Sequence, residues 1–251
     1  MSGDSAARYA SLKDRPVIVS GGATGIGEAL VRGFADQGSQ VGFLDIDVEA
    51  GEALARETGA RFIRCDVTDI PALEAAIADL AAAHGPAHVL VNNAANDLRH
   101  DWAETSEDDW SSHLDVNLKH AFFAIKAVAP AMIEAKAGSI INFGSFGWML
   151  AVGDYPCYAA SKAAMHGMTR SFARSLGGHG IRVNTVVPGW VMTAKQLDKW
   201  VDAAAEAMID SSQCLAGRIQ PSDIAAMVLF LAADDSRMCS AQNFIVDGGW
   251  A

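Results

Sequence analysis

Short apolar runs rich in β-branched residues alternate along this chain with longer stretches whose apolar positions recur at the helical period. "PVIVS", "QVGFLD", "RFIRC", "HVLVNN", "GSIINFGS", "IRVNTVVPG" and "NFIVDGG" read as strands, with alanine-rich amphipathic stretches between most of them. Strands alternating with helices are βαβ units and predict a parallel sheet. "VIV" and "HVLV" are apolar at consecutive positions, so both faces of the pleat must be covered by helices. Helix grammar agrees. "TDIPALEAAIADLAAAHG" opens on cap-type residues, carries Pro71 near its first turn and stops at Gly85, and "QPSDIAAMVLFLAADD" repeats the pattern. The expected fold class is α/β, a doubly wound sheet with helices on both faces.

No low-complexity linker, repeat or shift in composition divides the 251 residues, so a single domain over residues 1–251 is expected. Two segments stand outside the rhythm. Residues 1–14 read as a polar N-terminal extension without the apolar centre of a signal peptide. Residues from about 193 to 214 read as a mostly helical insertion between the sixth and seventh strands. Ligands of open α/β sheets bind beyond the carboxyl ends of the strands, so this insertion is placed either to cover a substrate or simply to pack.

Composition narrows the partners. Hydrophobic residues make up 51% of the chain and charged residues 20%, enough apolar surface for a large core. The formal net charge is −11 and the pI about 4.9, which argues against a phosphate-tracking surface and a nucleic-acid partner. No stretch approaches the ~18 apolar residues of a membrane span, so no membrane partner and a cytoplasmic location are expected. Cys65, Cys157, Cys214 and Cys239 are far apart and read as reduced thiols. The seven histidines show neither H-E-x-x-H nor Cys/His ligand spacing, so no metal is expected.

Candidate chemistry starts where the first strand runs into "SGGATGIG". Gly21, Gly25 and Gly27 let the backbone turn tightly and approach a pyrophosphate at the start of the next helix, where a β-carbon would block the way. Thr24 and Ile26 belong to the same turn, which by itself also fits a plain strand-to-helix corner. The second strand ends in Asp45, roughly 20 residues on, where a carboxylate can hold both hydroxyls of an adenosine ribose and repel a 2′-phosphate. Neither "GGATGIG" nor "DIDVEAG" contains Lys or Arg, so NAD is expected over NADP, with Ile46 beside Asp45. Two more strand ends complete an adenosine pocket: "RCDV" with Asp66 and Val67, and "VNNAA" with Asn92, Asn93, Ala94 and Ala95. Taken singly, Asp66 reads equally well as a helix cap and the asparagines as a turn.

Asn117 in "LDVNLKH", Ser145 in "INFGSFGW", and Tyr158 with Lys162 in "YAASK" make a proton-transfer set. Residues four apart share a helix face, so Lys162 can bring its ammonium toward the Tyr158 phenol. A phenol with its ordinary pKa of about 10 becomes a base near neutrality only beside positive charge. Ser145 could bond the substrate oxygen next to Tyr158, and Asn117 could hold a water on its backbone carbonyl and pass a proton on from Lys162. Such a set suits acid–base catalysis alongside hydride transfer. Alone, the stretch also reads as an amphipathic helix with Lys162 solvated and Tyr158 packed. Tyr155 has Ala159 where a lysine would be needed, and His113, His120 and His166 show no spacing that ties them to Ser145 in a hydrolase triad.

In order, "SGGATGIG", "CDV", "NNAA", Asn117, Ser145, "YAASK", "VVPGWVMT" and "VDGGW" resemble the short-chain dehydrogenase/reductase family over essentially the whole chain. The resemblance implies a Rossmann-type seven-stranded sheet, a nicotinamide cofactor, a homotetramer, and catalytic roles for Asn117, Ser145, Tyr158 and Lys162. It also implies that Tyr158 and Lys162 contact the cofactor, Lys162 at the nicotinamide ribose, and that Pro188, Gly189, Val191 and Thr193 line the carboxamide end. Ser20 stands where the family usually has Thr, and Ala95 where it usually has Gly; both keep a small residue.

A narrower likeness lies in "NDLRHDW", "INFGSFGWML", "VVPGWVMTAKQLDKW" and "SQCLAGRI", which look like bacterial NAD-dependent aldose 1-dehydrogenases. Those enzymes oxidise the anomeric hydroxyl of D-xylose, L-arabinose and related sugars to a lactone. The polar groups here suit a polyol. Asn96, Arg99, His100, Lys195 and Gln196 can bond hydroxyls, and Trp148 or Trp190 can either stack on an apolar sugar face or simply pack. Expected substrate contacts are Asn96, Ser145, Trp148, Tyr158, Trp190 and Gln196. One alternative is an NAD(H)-dependent dehydrogenase or reductase of a hydroxyacyl thioester, cyclic alcohol or steroid, whose pocket should be aliphatic. Another is a non-catalytic dinucleotide-binding protein, which would be free to lose Ser145, Tyr158 or Lys162.

Overall fold

Each of the seven strand-like runs forms a strand. In the computed structural model, which describes residues 7–251, these are β1 (Pro16–Ser20), β2 (Gln40–Asp45), β3 (Arg61–Arg64), β4 (Val89–Asn92), β5 (Gly138–Phe143), β6 (Ile181–Pro188) and β7 (Asn243–Val246). They form one parallel sheet in the order β3-β2-β1-β4-β5-β6-β7. Successive side chains point to opposite faces, which is why central strands such as β1 are apolar at consecutive positions: Val17 and Val19 enter one core layer and Ile18 the other.

Helices α1 (Gly25–Asp36), α2 (Val48–Thr58) and α9 (Pro221–Ala232) cover one face, burying Phe34, Leu54 and Leu229 among others. On the other face lie α3 (Ile70–His84), α5 (His120–Ala135) and α6 (Pro156–Leu176), with Leu73, Ile125 and Leu176 in that layer. Each such side chain withdrawn from water contributes about 2 kcal/mol. The helix signals behave as expected. Asp69 caps α3 through the Ala72 N–H and Gly85 ends it, while Pro221 opens α9 behind a Gln220–Asp223 capping box.

Residues 1–6 of the polar extension lie outside the described residues. Of the remainder, Leu12 is completely buried and Tyr9 packs on the same core layer. The insertion is helical, as α7 (Ala194–Lys199) and α8 (Ala203–Ser212). α4 (Glu107–Leu114) runs through a π-turn (Asp115–Lys119) into α5, giving 29 continuous residues that by length and composition alone could cross a bilayer, contrary to expectation. Its apolar side chains, Ile125, Val128 and Met132 among them, lie in the core beside the sheet.

The chain winds outward in one direction from β1 to β3, then crosses back so that β4 flanks β1 on its other side. The connections on the two sides of that switch diverge over opposite faces and leave a crevice at the carboxyl ends of the strands.

Candidate active site

A cleft of about 1080 Å³ occupies that crevice. Its first wall is the turn after β1, where Gly21, Thr24, Gly25, Ile26 and Gly27 line the space. Gly21 and Gly25 have left-handed φ values of +65° and +59°. The stricter demand comes from packing. A β-carbon on Gly27 would lie 1.8 Å from the Gly21 carbonyl oxygen, and one on Gly21 would lie 2.7 Å from Ala94 Cα. The protein's own backbone thus requires these glycines before any ligand does. Asn93 holds the turn to β4, its side-chain amide donating to the Ser20 and Gly21 carbonyls at 3.1 and 2.7 Å. The Ser20 hydroxyl in turn accepts from the Asn93 and Ala94 N–H groups, both at 3.2 Å, so the serine also ties the turn to β4.

Asp45 and Ile46 line the far end, with Asp66 and Val67 after β3 and Asn93, Ala94 and Ala95 after β4. The Asp45 carboxylate also supports the turn, accepting from the Ala23 N–H at 2.9 Å. One Asp66 oxygen receives the Thr68 hydroxyl and N–H. Asn92 points elsewhere: it is buried and donates to Asn142 at 2.8 Å, tying β4 to β5. Among the described residues no Lys or Arg lines the Asp45 end. At the opposite end Pro188, Gly189, Val191 and Thr193 follow β6 along the cleft.

Ser145, Tyr158 and Lys162 line the same cleft, brought together by the end of β5 and the first turns of α6. Lys162 is 2% exposed and donates from Nζ to the Phe143 carbonyl at 2.9 Å, with Nζ 5.6 Å from the centre of the Tyr158 ring. Burial pushes the Tyr158 phenol well above its ordinary pKa, while the Ser145 hydroxyl pulls it down. Asn117 stands behind the cleft wall in the π-turn, fully buried. Its side-chain oxygen accepts from the Asn96 N–H at 2.9 Å, and its amide donates to the Asn96 and His113 carbonyls, both at 3.0 Å. A π-turn interrupts regular helical pairing and is frequent at functional sites.

The substrate end differs from expectation in several places. Trp190 and Gln196 line it and bond each other, the indole N–H donating to the Gln196 side-chain oxygen at 3.0 Å. Trp148 does not line the cleft; its indole donates to His166 Nε2 at 3.3 Å. Asn96 is used through its backbone as a partner of Asn117, and His100 accepts the Cys157 N–H instead of facing the cleft. Arg99 does line it, lying 4.2 Å over the Trp200 ring. Asp97, Tyr155, Trp200 and Trp250 also line the space, although none was among the expected substrate contacts. Tyr155 packs edge-on against Tyr158 with ring centres 5.3 Å apart. Asp97 was legible only as part of a polar segment, and Trp250 only as the last residue of "VDGGW", a motif quoted for the family resemblance and not for a place at the substrate end.

The cleft fits a nicotinamide dinucleotide on its own terms. α1 begins behind Thr24 with no side-chain cap on its N–H groups, as does α6 behind Tyr155, whereas Asp47, Asp69, Ser106, Thr193 and Asp202 cap α2, α3, α4, α7 and α8. An uncapped helix start facing a cleft beside close backbone turns is suited to a pyrophosphate. The family described as "Enoyl-(Acyl carrier protein) reductase" matches residues 21–251. A D-xylose 1-dehydrogenase of Caulobacter vibrioides is 45% identical, covering 98% of this chain and 99% of its own. A Rhizobium meliloti protein described as "Probable galactose dehydrogenase GalD" is 40% identical over 96% of this chain and 97% of its own. Among solved structures, a blue fluorescent protein from a metagenomic library in complex with NADPH superimposes with a TM-score of 0.87 at 33% identity, covering 96% of this chain and 99% of that one.

The chain belongs to the short-chain dehydrogenase/reductase family. Its members use a nicotinamide cofactor, and the residues expected to bind one lie along a single cleft. Electrostatics in that cleft carry a cost. Burial lowers the Lys162 ammonium to about 8, although the Asp97 charge opposes the shift. Its folded pKa is below the unfolded value of 10.5, so keeping it charged destabilises the fold. The cost is full below pH 8 and fades as pH rises from 8 toward 10.5. Lys162→Met is therefore expected to melt at or above the wild-type temperature at neutral pH, by up to about 2 kcal/mol of added stability, while turnover drops about a hundredfold. Thermal melts of both proteins across that pH range, with rates alongside, check this. A large loss of stability at neutral pH would show that the bond to Phe143 outweighs desolvation. His120, fully buried near Lys162, is pushed down to about 3 and stays neutral.

Proposed function

We propose that this protein is an NAD-dependent aldose 1-dehydrogenase, oxidising the anomeric hydroxyl of a cyclic sugar to the lactone. The observation that carries the reading is the make-up of the cleft beyond Ser145 and Tyr158. Asp97, Arg99, Lys195 and Gln196 offer charged and hydrogen-bonding groups, and Trp190 and Trp250 supply an aromatic wall with ring centres 6.4 Å apart. Hydroxyl groups need partners when they leave water, and the apolar face of a sugar ring suits an indole. The sugar dehydrogenases of Caulobacter vibrioides and Rhizobium meliloti, similar over nearly their full length, support the same reading.

In this reading the Ser145 hydroxyl accepts or donates at the anomeric oxygen and holds it against the Tyr158 phenol. Tyr158 takes the hydroxyl proton as the C–H bond breaks and the carbon–oxygen double bond forms. Bound NAD supplies the acceptor for the departing hydride. Lys162 favours the phenolate by its charge, which opposes the effect of burial on Tyr158. Asn117 holds the Asn96 backbone that carries the neighbouring cleft wall, and its own carbonyl is offered to a water that passes the proton outward. α7 and α8 cover the substrate.

Asp45 supports NAD over NADP. A carboxylate there accepts ribose hydroxyls and repels a 2′-phosphate, and among the described residues no cation lines that end to offset it. One solved structure of similar fold holds NADPH, so the fold by itself does not select NAD and local charge has to choose. The test is a panel of aldoses, cyclic alcohols, steroids and hydroxyacyl thioesters with each cofactor, followed by formation of reduced nicotinamide. An aldose should give the highest kcat/KM and NAD should exceed NADP by about tenfold or more. Preferential turnover of a steroid or thioester would overturn the sugar assignment, and equal use of NADP would remove Asp45 as selector.

A further inference from the structure

We propose that Asp97 is a positioning residue that latches α7 across the substrate end of the cleft and thereby helps to set which substrates turn over. The second half rests on the dehydrogenase reading above; the latch itself does not.

α7 has six residues and none of them is buried. So short a helix has little stability of its own, and with no apolar anchor it must be held by polar contacts. Its N-cap Thr193 supplies one, receiving the Gln196 N–H at 3.3 Å. The others converge on a single carboxylate. Lys195 donates from Nζ to one Asp97 oxygen, and Gln196 donates from its side-chain amide to the other at 2.7 Å. Gln196 also receives the Trp190 indole N–H, so the aromatic wall is tied into the same set. At the last turn of α7 a second contact joins the same two segments, where the Arg99 guanidinium lies over Trp200.

The anchor point is firm. Asp97 follows Asn96, whose N–H and carbonyl are both gripped by the buried Asn117 side chain. A rigid, buried asparagine therefore holds the strap, and the strap holds the lid through one acid. Asp97 retains 29% of its side-chain exposure and Lys195 42%, so the ion pair alone is weak. The charge-assisted bond from Gln196 and the shared carboxylate make the latch stronger than either contact by itself. The same carboxylate reaches the reacting groups electrostatically: its charge raises both Tyr158 and Lys162.

The first test needs no substrate. Hydrogen exchange of the free protein should show the amides of α7 in Asp97→Ala exchanging about tenfold faster or more than wild type, with β5 and β6 unchanged. The paired exchange Asp97→Lys with Lys195→Asp should recover part of the protection. Unchanged exchange in α7 would overturn the latch. The second test uses the best aldose from the panel. Asp97→Ala should raise its KM about tenfold with a smaller fall in kcat. Asp97→Asn should move the acid limb of the kcat profile to lower pH, because it removes a negative charge facing Tyr158, which otherwise meets Ser145, Tyr155 and Lys162. An unmoved limb and unchanged KM would confine Asp97 to structure and overturn its role in turnover. A wild-type protein that oxidises no sugar, together with a loosened α7 in Asp97→Ala, would refute the sugar assignment and uphold the latch.

Discussion

Tyr158→Phe will reduce sugar oxidation by about a thousandfold and leave cofactor affinity within about twofold. The change removes one oxygen and keeps the ring, so the edge-on contact with Tyr155 and the surrounding packing survive. What is lost is the group proposed to accept the hydroxyl proton, and its burial bears on how that group works. Tyr158 is pushed up by desolvation, so it needs the positive charge of Lys162 to lose its proton near neutrality. The oxidation rate should accordingly rise with pH until the phenolate predominates. Steady-state rates and a titration of cofactor fluorescence measure the two halves. Near-normal turnover would remove Tyr158 from the chemistry and direct attention to Tyr155, whose phenol lines the same cleft and is also raised by burial.

Gly27→Ala carries the second large effect, and it concerns the frame of the site. The added β-carbon would sit 1.8 Å from the Gly21 carbonyl oxygen, 2.8 Å from its carbon and 2.9 Å from Gly22 Cα. These are backbone atoms of the turn, with no flexible side chain to move aside. Either α1 shifts or the turn opens, at a cost of about 3 kcal/mol, and a wall of the cleft expected to hold the cofactor is displaced. Gly167→Ala is the matched control. Gly167 lies exposed within α6 with nothing within 4 Å of the added carbon, so alanine there should be neutral or add up to about 1 kcal/mol. Urea melts and cofactor titrations of both variants test the contrast. Wild-type stability and binding in Gly27→Ala would mean that the turn approaches α1 less closely than the structure has it.

Much of the fold was legible because hydrophobic period is a local property. Seven apolar runs and the stretches between them record which side of each element faces the core, and the seven parallel strands follow. Helix caps were equally local, as at Asp69 and Gly85. The bilayer-like length of the run from Glu107 to Ala135 was not seen in advance, because the helix continues through a π-turn that the spacing did not announce.

At the site the division is sharper. Sequence alone put Lys162 on the same helix face as Tyr158, four residues apart, and it located the glycine turn, Asp45 and Ser145 at strand ends. The tertiary structure decided the rest. Trp148 went to His166 and Asn96 to Asn117, while Asp97, Tyr155, Trp200 and Trp250 came to the cleft. It also moved the reason for Gly27 from a ligand to the Gly21 carbonyl. Loop side chains carry no period, and their direction depends on partners distant in the chain; Asp97 meets Gln196 across 99 positions, a pairing no local pattern encodes.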